Sequence, residues 1–476
     1  MPDSFTAAAS PIAPAAGAAS PAAVAASTTA GTTSSAQLPA QEFYTDPALV
    51  GLINQALAGN QELKALNEEV QIASNEVLAR RGAYLPTVGL EAGGGFERNS
   101  QFTPLGAAER QLEYLPGRNF PDPVPRVRLG AGLNWQIDIW RELRNARDAA
   151  IQRYYAAIER RSAFVTRLIA DVADNYFGLL ALDQRLTVLD QTIAIQEQSL
   201  ELAVARKNAG RGTELAVQRF QAEVRKNQSE KLVVRQEIVE VENRINVLVG
   251  RFPQPVERTA GNFLDLTVPA VSVGLPAQLL ANRPDIRRAE RELAAAGLDV
   301  LVARARFFPR LDITAGVGWE AFNPRYLFDP GAFIANAAGG FVAPFVNRRA
   351  IQADYLTANA RQLQALYNYQ QVVLDAFREV VTQVSAAENY RTSIEIKQQQ
   401  LQALVASVDA ASQLFQNARA EYIEVLFAQR DLQDARTETV ERKRRQLSAI
   451  VNAYQALGGG SNTITTLDPM SQQGPR

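Results

Sequence analysis

The sequence predicts an α+β membrane protein whose strands close into a barrel only when copies of the chain associate. Three observations carry this expectation: a tandem repeat within the chain, two heptad-patterned segments too long for a globule, and four long stretches of alternating apolar and polar residues.

The repeat orders everything else. A shift of 223 residues lays Leu57, Leu63, Arg81 and Pro86 over Leu280, Ile286, Arg304 and Pro309. Past the glycine-rich segment that follows, the shift falls to 208, so the first copy carries about 15 extra residues in its loop. At 208, Arg153 overlies Arg361, Gln221 overlies Gln429 and Gly250 overlies Gly458. This divides the chain into an Ala/Ser/Pro-rich leader (1–41), a first repeat (42–250), a Pro- and Gly-rich equatorial linker (251–275), a second repeat (276–458) and a flexible tail (459–476). The first 40 residues hold 15 alanines and a single charge, Asp3, too little side chain to order by burial. They lack the basic and strongly apolar regions of a signal peptide.

Each repeat holds the same parts: a helix of some 30–37 residues, two strands around a polar loop, a very long helix, a tight turn and a helix of about 36 residues. In the first long helix Ile158, Val165, Val172, Leu179, Leu186, Ile193 and Leu200 recur every seven residues. Leu366, Val373, Val380, Ala387, Ile394, Leu401 and Val408 do the same in the second. A sustained heptad means left-handed coiled packing. At 1.5 Å per residue, 141–207 spans about 100 Å. The partner of such a helix is assembled from two shorter ones end to end, 213–248 with 278–307, and 421–456 with 47–83. The expected result is a double-hairpin rod with its chain breaks near mid-length.

The strands alternate with period two. In 126–139, Val127, Leu129, Ala131, Leu133, Trp135, Ile137 and Ile139 oppose Arg126, Arg128, Asn134, Gln136 and Asp138. In 311–321, Leu311, Ile313, Ala315, Val317 and Trp319 oppose Asp312, Thr314 and Glu320. Weaker alternation runs through 87–98 and 333–345. One such strand alone would fit a soluble sandwich. Four of transmembrane length, flanked by these helices, fit a water-filled barrel with lipid-facing Val127, Leu129, Leu133, Trp135, Ile313, Val317 and Trp319. Tyr114, Trp140, Phe322, Tyr326 and Phe328 suit interfacial girdles. Open edges are not tolerated in lipid, so subunits must close the sheet. Two chains give eight strands and three give twelve. An eight-stranded pore fills with its own side chains, which favours the trimer for a conduit.

Composition removes most alternatives. With 49 basic and 50 acidic side chains, the chain lacks the basic surface a nucleic-acid binder needs. It has no cysteine and no histidine, hence no thiol chemistry, Ser-His-Asp triad or imidazole ligand. No enzyme activity, metal or cofactor is expected. No apolar run reaches the roughly 20 residues of a spanning helix.

The stretch GLPAQLLANRPDIRRAERELAAAGLDVLVARARFFPRLDITAGVG (274–318) strongly resembles the second-repeat signature of TolC-like outer-membrane efflux channels, in the subgroup that serves resistance-nodulation-division pumps. Residues 43–66, 135–146 and 421–432 match other blocks, and the resemblance covers roughly 42–458. It implies a homotrimer in the outer membrane: a twelve-stranded barrel, four strands per chain, continuous with a twelve-helix periplasmic α-barrel. It implies as partners a periplasmic adaptor and an inner-membrane pump that supplies the energy. Members of this subgroup are often anchored by an N-terminal cysteine, which this sequence lacks.

The resemblance also assigns roles to the two helix–helix turns, which form the periplasmic entrance and contact the adaptor. The first reads Arg206-Lys207-Asn208-Ala209-Gly210, followed by Arg211, Thr213 and Glu214; the second reads Phe415-Gln416-Asn417-Ala418-Arg419-Ala420-Glu421-Tyr422. Arg206, Asn208, Gly210, Thr213, Gln416, Asn417 and Ala418 fall in adaptor-contact positions. Glu421, Glu424, Arg419, Arg211 and Glu214 fall at the gate. Ala418 stands where the family usually has Gly, and Ala216 where it usually has an acid. Three copies of Glu421 and Glu424 would form acidic rings, with Arg211 and Arg419 placed to bridge acids between turns. Otherwise these acids only solvate helix starts. The function expected is a passive exit duct of a tripartite efflux system. A type I secretion duct and a pore-less periplasmic coiled-coil adaptor are the alternatives; an adaptor carries one hairpin, whereas this chain carries two.

Overall fold

The computed structural model describes residues 35–259, 261, 263–269, 271, 272, 274, 276–343, 348–417 and 419–461. Most of the leader, most of the tail and Ala418 lie outside them, while residues 35–41 are described and α1 begins among them. The described elements begin with α1 (Ala40–Phe43), α2 (Pro47–Gly59), α3 (Gln61–Ala83), β1 (Thr87–Glu97), α4 (Pro104–Gln111), β2 (Glu113–Leu115), β3 (Arg118–Asn119) and β4 (Val124–Ile137). Then come α5 (Glu142–Asn208), α6 (Glu214–Val249), α7 (Gln278–Asn282), α8 (Pro284–Ala305), β5 (Arg310–Ala321), β6 (Phe333–Val342), α9 (Arg348–Gln416) and α10 (Tyr422–Ala456).

The chain divides into two units: one within 1–70, 156–290 and 368–476, the other within 71–155 and 291–367. In the first unit the heptad residues do what their spacing predicts. Val165, Val172, Leu179, Val380, Ile394 and Val408 are buried. Val165, Val172 and Leu179 share one core with Val234 and Ile245 of α6 and Val440, Leu447 and Val451 of α10. Phe43 stacks on Tyr454 in the same core, with centroids 4.0 Å apart. Each such fully buried side chain contributes about 1.5–3 kcal/mol of transfer free energy.

The segment after α6 is tied down by polar bonds. Arg258 pairs with Asp183 at 2.6 Å and with Glu242. Tyr176 Oη donates to Asp46 Oδ2 at 2.6 Å, and Thr259 Oγ1 donates to Asp46 Oδ1 at 2.8 Å. Burial, with Asp46 beside it, pushes the Tyr176 hydroxyl up to about 12.

Two expected helices are broken. The pattern predicts continuous helices over 47–83 and 278–307, but the chain turns extended at Asn60 and at Arg283. Pro284 accounts for the second break: it lacks an N–H and disfavours α backbone in the residue before it. Asn60 accounts for the first, since its Oδ1 accepts from Leu63 N at 2.8 Å and caps α3. At each break another helix end arrives. Asn60 Nδ2 donates to Leu248 O at 2.9 Å, and Arg283 Nη1 donates to Ala456 O at 2.7 Å. The glycines that end those arriving helices have φ of +80° (Gly250) and +90° (Gly458). A Cβ there would lie 2.3 Å from Gly59 O and 2.5 Å from Asn282 O respectively. Glycine is required at both places.

The second unit holds an antiparallel sheet in the order β1-β4-β5-β6. Its register pairs Leu90 with Ala131, Ala131 with Val317, and Val317 with Ala335. Paired residues share a face, so the apolar sets of β4 and β5 lie on one face with Val88, Leu90 and Phe96 of β1 and Phe333 and Phe341 of β6. The other face carries Glu91, Glu97, Arg126, Arg128, Asp312 and Glu320. Asp138 departs from its expected place on this polar face. The strand ends at Ile137, and Asp138 instead accepts from Leu143 N and Arg144 N at 3.0 and 2.9 Å. The carboxylate satisfies orphan N–H groups at the start of α5, where the helix dipole also favours it.

Candidate functional site

Two places concentrate the residues singled out by sequence: the helix–helix turns and the sheet. At the first turn, α5 ends as Gly210 takes φ +72° and Arg211 N donates to Arg206 O at 2.9 Å. Thr213 then caps α6, accepting from Ala216 N at 3.3 Å. Glu214, in the first turn of α6, accepts from Gln218 Nε2 at 2.7 Å and pairs with Lys207 across the loop. Gln218 first, then Lys207, holds its carboxyl below the usual carboxylate range.

In the second turn, Asn417 N and Nδ2 both donate to Gln413 O, at 3.1 and 3.0 Å, and Arg419 N donates to Leu414 O at 2.8 Å. Glu421 occupies the N-cap of α10 without a side-chain capping bond, and Glu424 lies in the first helical turn. Both are exposed, as are Arg211, Glu214 and Arg419. Gln416, the last residue of α9, and Asn208, the last of α5, stand at the mouths of their loops.

The structure brings the two turns together through a residue whose reach the sequence did not reveal. Arg206 Nη1 donates to Phe415 O at 2.6 Å, and its guanidinium lies 4.4 Å from the centroid of the Phe415 ring. Beneath them Ala203, Val217, Phe220, Phe415 and Val425 form a small core. Among the described residues Arg206 links the turns through its side chain, and Arg211 and Arg419 donate backbone N–H groups within their own loops. The separation of Arg206 from Phe415, 209 residues, hides the contact from any local pattern.

On the sheet, Arg126 bridges Glu97 and Glu320, each at 2.8 Å, and so ties β1 and β5 to β4 on the polar face. Arg310 pairs with Asp312 at 2.8 Å near the other end of that face. Trp135 Nε1 donates to Tyr84 O at 3.1 Å, while Trp140 stacks on Phe308 at 4.6 Å and donates to Pro309 O. Tyr114, Phe322 and Tyr326 gather at the opposite end of the strands. Among the described residues no helix is long and apolar enough to cross a membrane, and no group of acids is arranged to hold a metal ion.

Comparison with known proteins places this geometry. The family model described as outer membrane efflux protein matches residues 52–251 and 275–459. The solvent efflux pump outer membrane protein SrpC of Pseudomonas putida is 28% identical over 424 residues, 88% of this chain and 87% of that protein. The cation efflux system protein CusC of Escherichia coli is 26% identical over 418 residues, covering 88% of each chain. Among solved structures, the outer membrane protein VceC of Vibrio cholerae superposes with a TM-score of 0.79 at 23% identity, over 88% of this chain and 97% of that one. The match to the family model over most of the chain establishes that this protein belongs to the outer membrane efflux protein family and resides in the outer membrane.

Proposed function

We propose that three copies of this chain form a passive duct through the outer membrane, carrying substrates delivered by a periplasmic adaptor and an inner-membrane pump. The observation that carries the reading is the sheet. Its four strands present one apolar face, and β1 and β6 each leave an edge without a strand partner among the described residues. Lipid does not tolerate such edges, so closure falls to neighbouring copies, and twelve strands leave a lumen where eight would not. The apolar face then meets lipid through Val127, Leu129, Leu133, Trp135, Ile313, Val317 and Trp319, and the polar face lines water.

Unpartnered apolar side chains on the helices support the same assembly. Leu363 and Leu374 of α9 are 53% and 66% exposed, and Leu232 of α6 is 64% exposed. Twelve long-helix segments, four per chain, would cover these rows and continue the conduit as a periplasmic tunnel. The division at 1–41, 42–250, 251–275, 276–458 and 459–476 belongs to this reading, with the linker at the equator.

The turns would form the entrance. Glu421, Glu424, Arg419, Arg211 and Glu214 would surround it, and Arg206, Asn208, Gly210, Thr213, Gln416, Asn417 and Ala418 would meet the adaptor. No step of this function asks the chain for catalysis. Light scattering of the detergent-solubilised protein should give about three times the chain mass of 52.0 kDa. A monodisperse monomer that fails to conduct in liposomes would overturn the duct.

A further inference from the structure

A cavity of about 350 Å³ lies where the loop joining β1 to β4 meets the loop joining β5 to β6. Its walls include Tyr114, Phe322 and Tyr326, and its acids are Glu320 and Asp329. Phe322 is the hub of the aromatic wall, with Tyr114 edge-on at 4.9 Å and Tyr326 tilted at 5.7 Å. Phe120 braces it from behind at 5.1 Å. Asp329 is held in place because its Oδ1 accepts from Gly331 N at 2.8 Å. Glu320 is held by Arg126, but Arg126 is shared with Glu97, so that group of three carries a net negative charge. No basic side chain lines the cavity.

We propose that this cavity binds a small organic cation, a tertiary or quaternary ammonium ion with an apolar skin. The chemistry selects that class. Ring faces carry negative quadrupole density and attract a cation whose charge is spread beneath carbon rather than buried in a hydration shell. The two acids add long-range attraction for positive charge and repel anions. A neutral hydrocarbon would gain only the apolar walls and would displace water from the carboxylates without replacing its hydrogen bonds. The volume falls at the lower end of the range for ligand pockets, which suits a compact ion. If the strands span the outer membrane as proposed above, this site stands at the mouth away from the long helices. Its location outside the cell rests on that reading; the binding itself does not.

The test uses the full chain in detergent and phenyltrimethylammonium as the probe, titrated calorimetrically with benzenesulfonate as the anionic counterpart. Saturable binding of the cation at about one site per chain is expected, with none for the sulfonate. Asp329→Asn keeps the acceptor that caps Gly331 and removes the charge; it should weaken binding at least about fivefold, as should Tyr326→Leu. Thermal melting of each variant checks that the loops remain folded, and Asp329→Asn alone decides the matter if Tyr326→Leu melts early. Absence of saturable binding to the parent chain overturns the site. So does equal affinity in folded Asp329→Asn, or equal binding of cation and sulfonate. A protein that binds the cation yet conducts no ions would leave the site standing and remove the duct.

Discussion

Arg206 and Phe415 hold the two helical turns together by two interactions at once, a charge-assisted hydrogen bond to the Phe415 carbonyl at 2.6 Å and a guanidinium stacked 4.4 Å from its ring. The carbonyl is one of those left without an intrahelical partner at the end of α9, so the arginine satisfies an acceptor that would otherwise rely on water. A bond of this kind between partly exposed groups contributes about 1–2 kcal/mol, and a cation–π contact adds about 0.5–1 kcal/mol.

Arg206→Ala should therefore loosen the tip and raise single-channel conductance in planar bilayers, with little loss of global stability. Arg419→Ala should change conductance less, because Arg419 donates to Leu414 O through its backbone N–H, which alanine retains. Conductance that rises with Arg419→Ala and stays level with Arg206→Ala would put the clasp at Arg419 instead.

At the helix breaks, Asn60 and Arg283 perform one task with different chemistry. Each donates to the last turn of an arriving helix, Leu248 O or Ala456 O, and Arg283 also pairs with Asp285 at 2.6 Å and Glu379 at 2.9 Å. The guanidinium is 9% exposed, so removing it leaves the buried Ala456 carbonyl without this donor, while water still reaches the two carboxylates. Arg283→Met should cost about 2–3 kcal/mol, as expected when charge-assisted hydrogen bonds are lost and a buried carbonyl is left unpaired. Asn60→Ala, which loses a neutral cap, should cost about 1–2 kcal/mol. Chemical denaturation in detergent would rank the two, and equal losses would mean that the ion pairs at Arg283 add nothing.

Much of this architecture is legible in the sequence because its long elements are periodic. The heptad rows mark α5 and α9, and the strict alternation of Val127 through Ile137 marks β4. The breaks at Asn60 and Arg283 are not visible that way, since apolar spacing runs through both and the cause lies in single residues and a distant helix end. Asp138 continues the alternation of β4 yet serves the helix that follows, because orphan N–H groups compete for a carboxylate. At the turns the residue types were readable, but the Arg206–Phe415 contact was not: nothing local announces a bond across 209 residues.

The two faces of the sheet give a third prediction. Leu129 and Ile313 lie on the apolar face, and Thr314 on the polar one. Arginine at Leu129 or Ile313 should cost about 2–4 kcal/mol if that face meets lipid near the midplane, and arginine at Thr314 should be nearly neutral. Reversible unfolding from lipid vesicles measures the difference. Equal tolerance at both faces would assign the sheet to water.

The last prediction concerns Lys443, a buried lysine on α10. Burial lowers its ammonium pKa below the ordinary lysine value, and the charge of Asp265 opposes that shift only in part. A folded pKa below the unfolded one means that the unfolded chain binds more protons over the interval between them. Stability should consequently rise with pH through that interval, and the penalty for holding the ammonium is fully present below it. Lys443→Met keeps the apolar stem and removes the charge, so it should stabilise the protein at pH 7. The gain over the parent chain should then shrink as pH approaches about 10.4, the value of a free lysine. Melting temperatures of both proteins between pH 7 and pH 10 provide the measurement. A gain that stays constant across that range would trace the effect to packing rather than charge, and a loss of stability at pH 7 would mean that Lys443 is held by an ion pair strong enough to outweigh its burial.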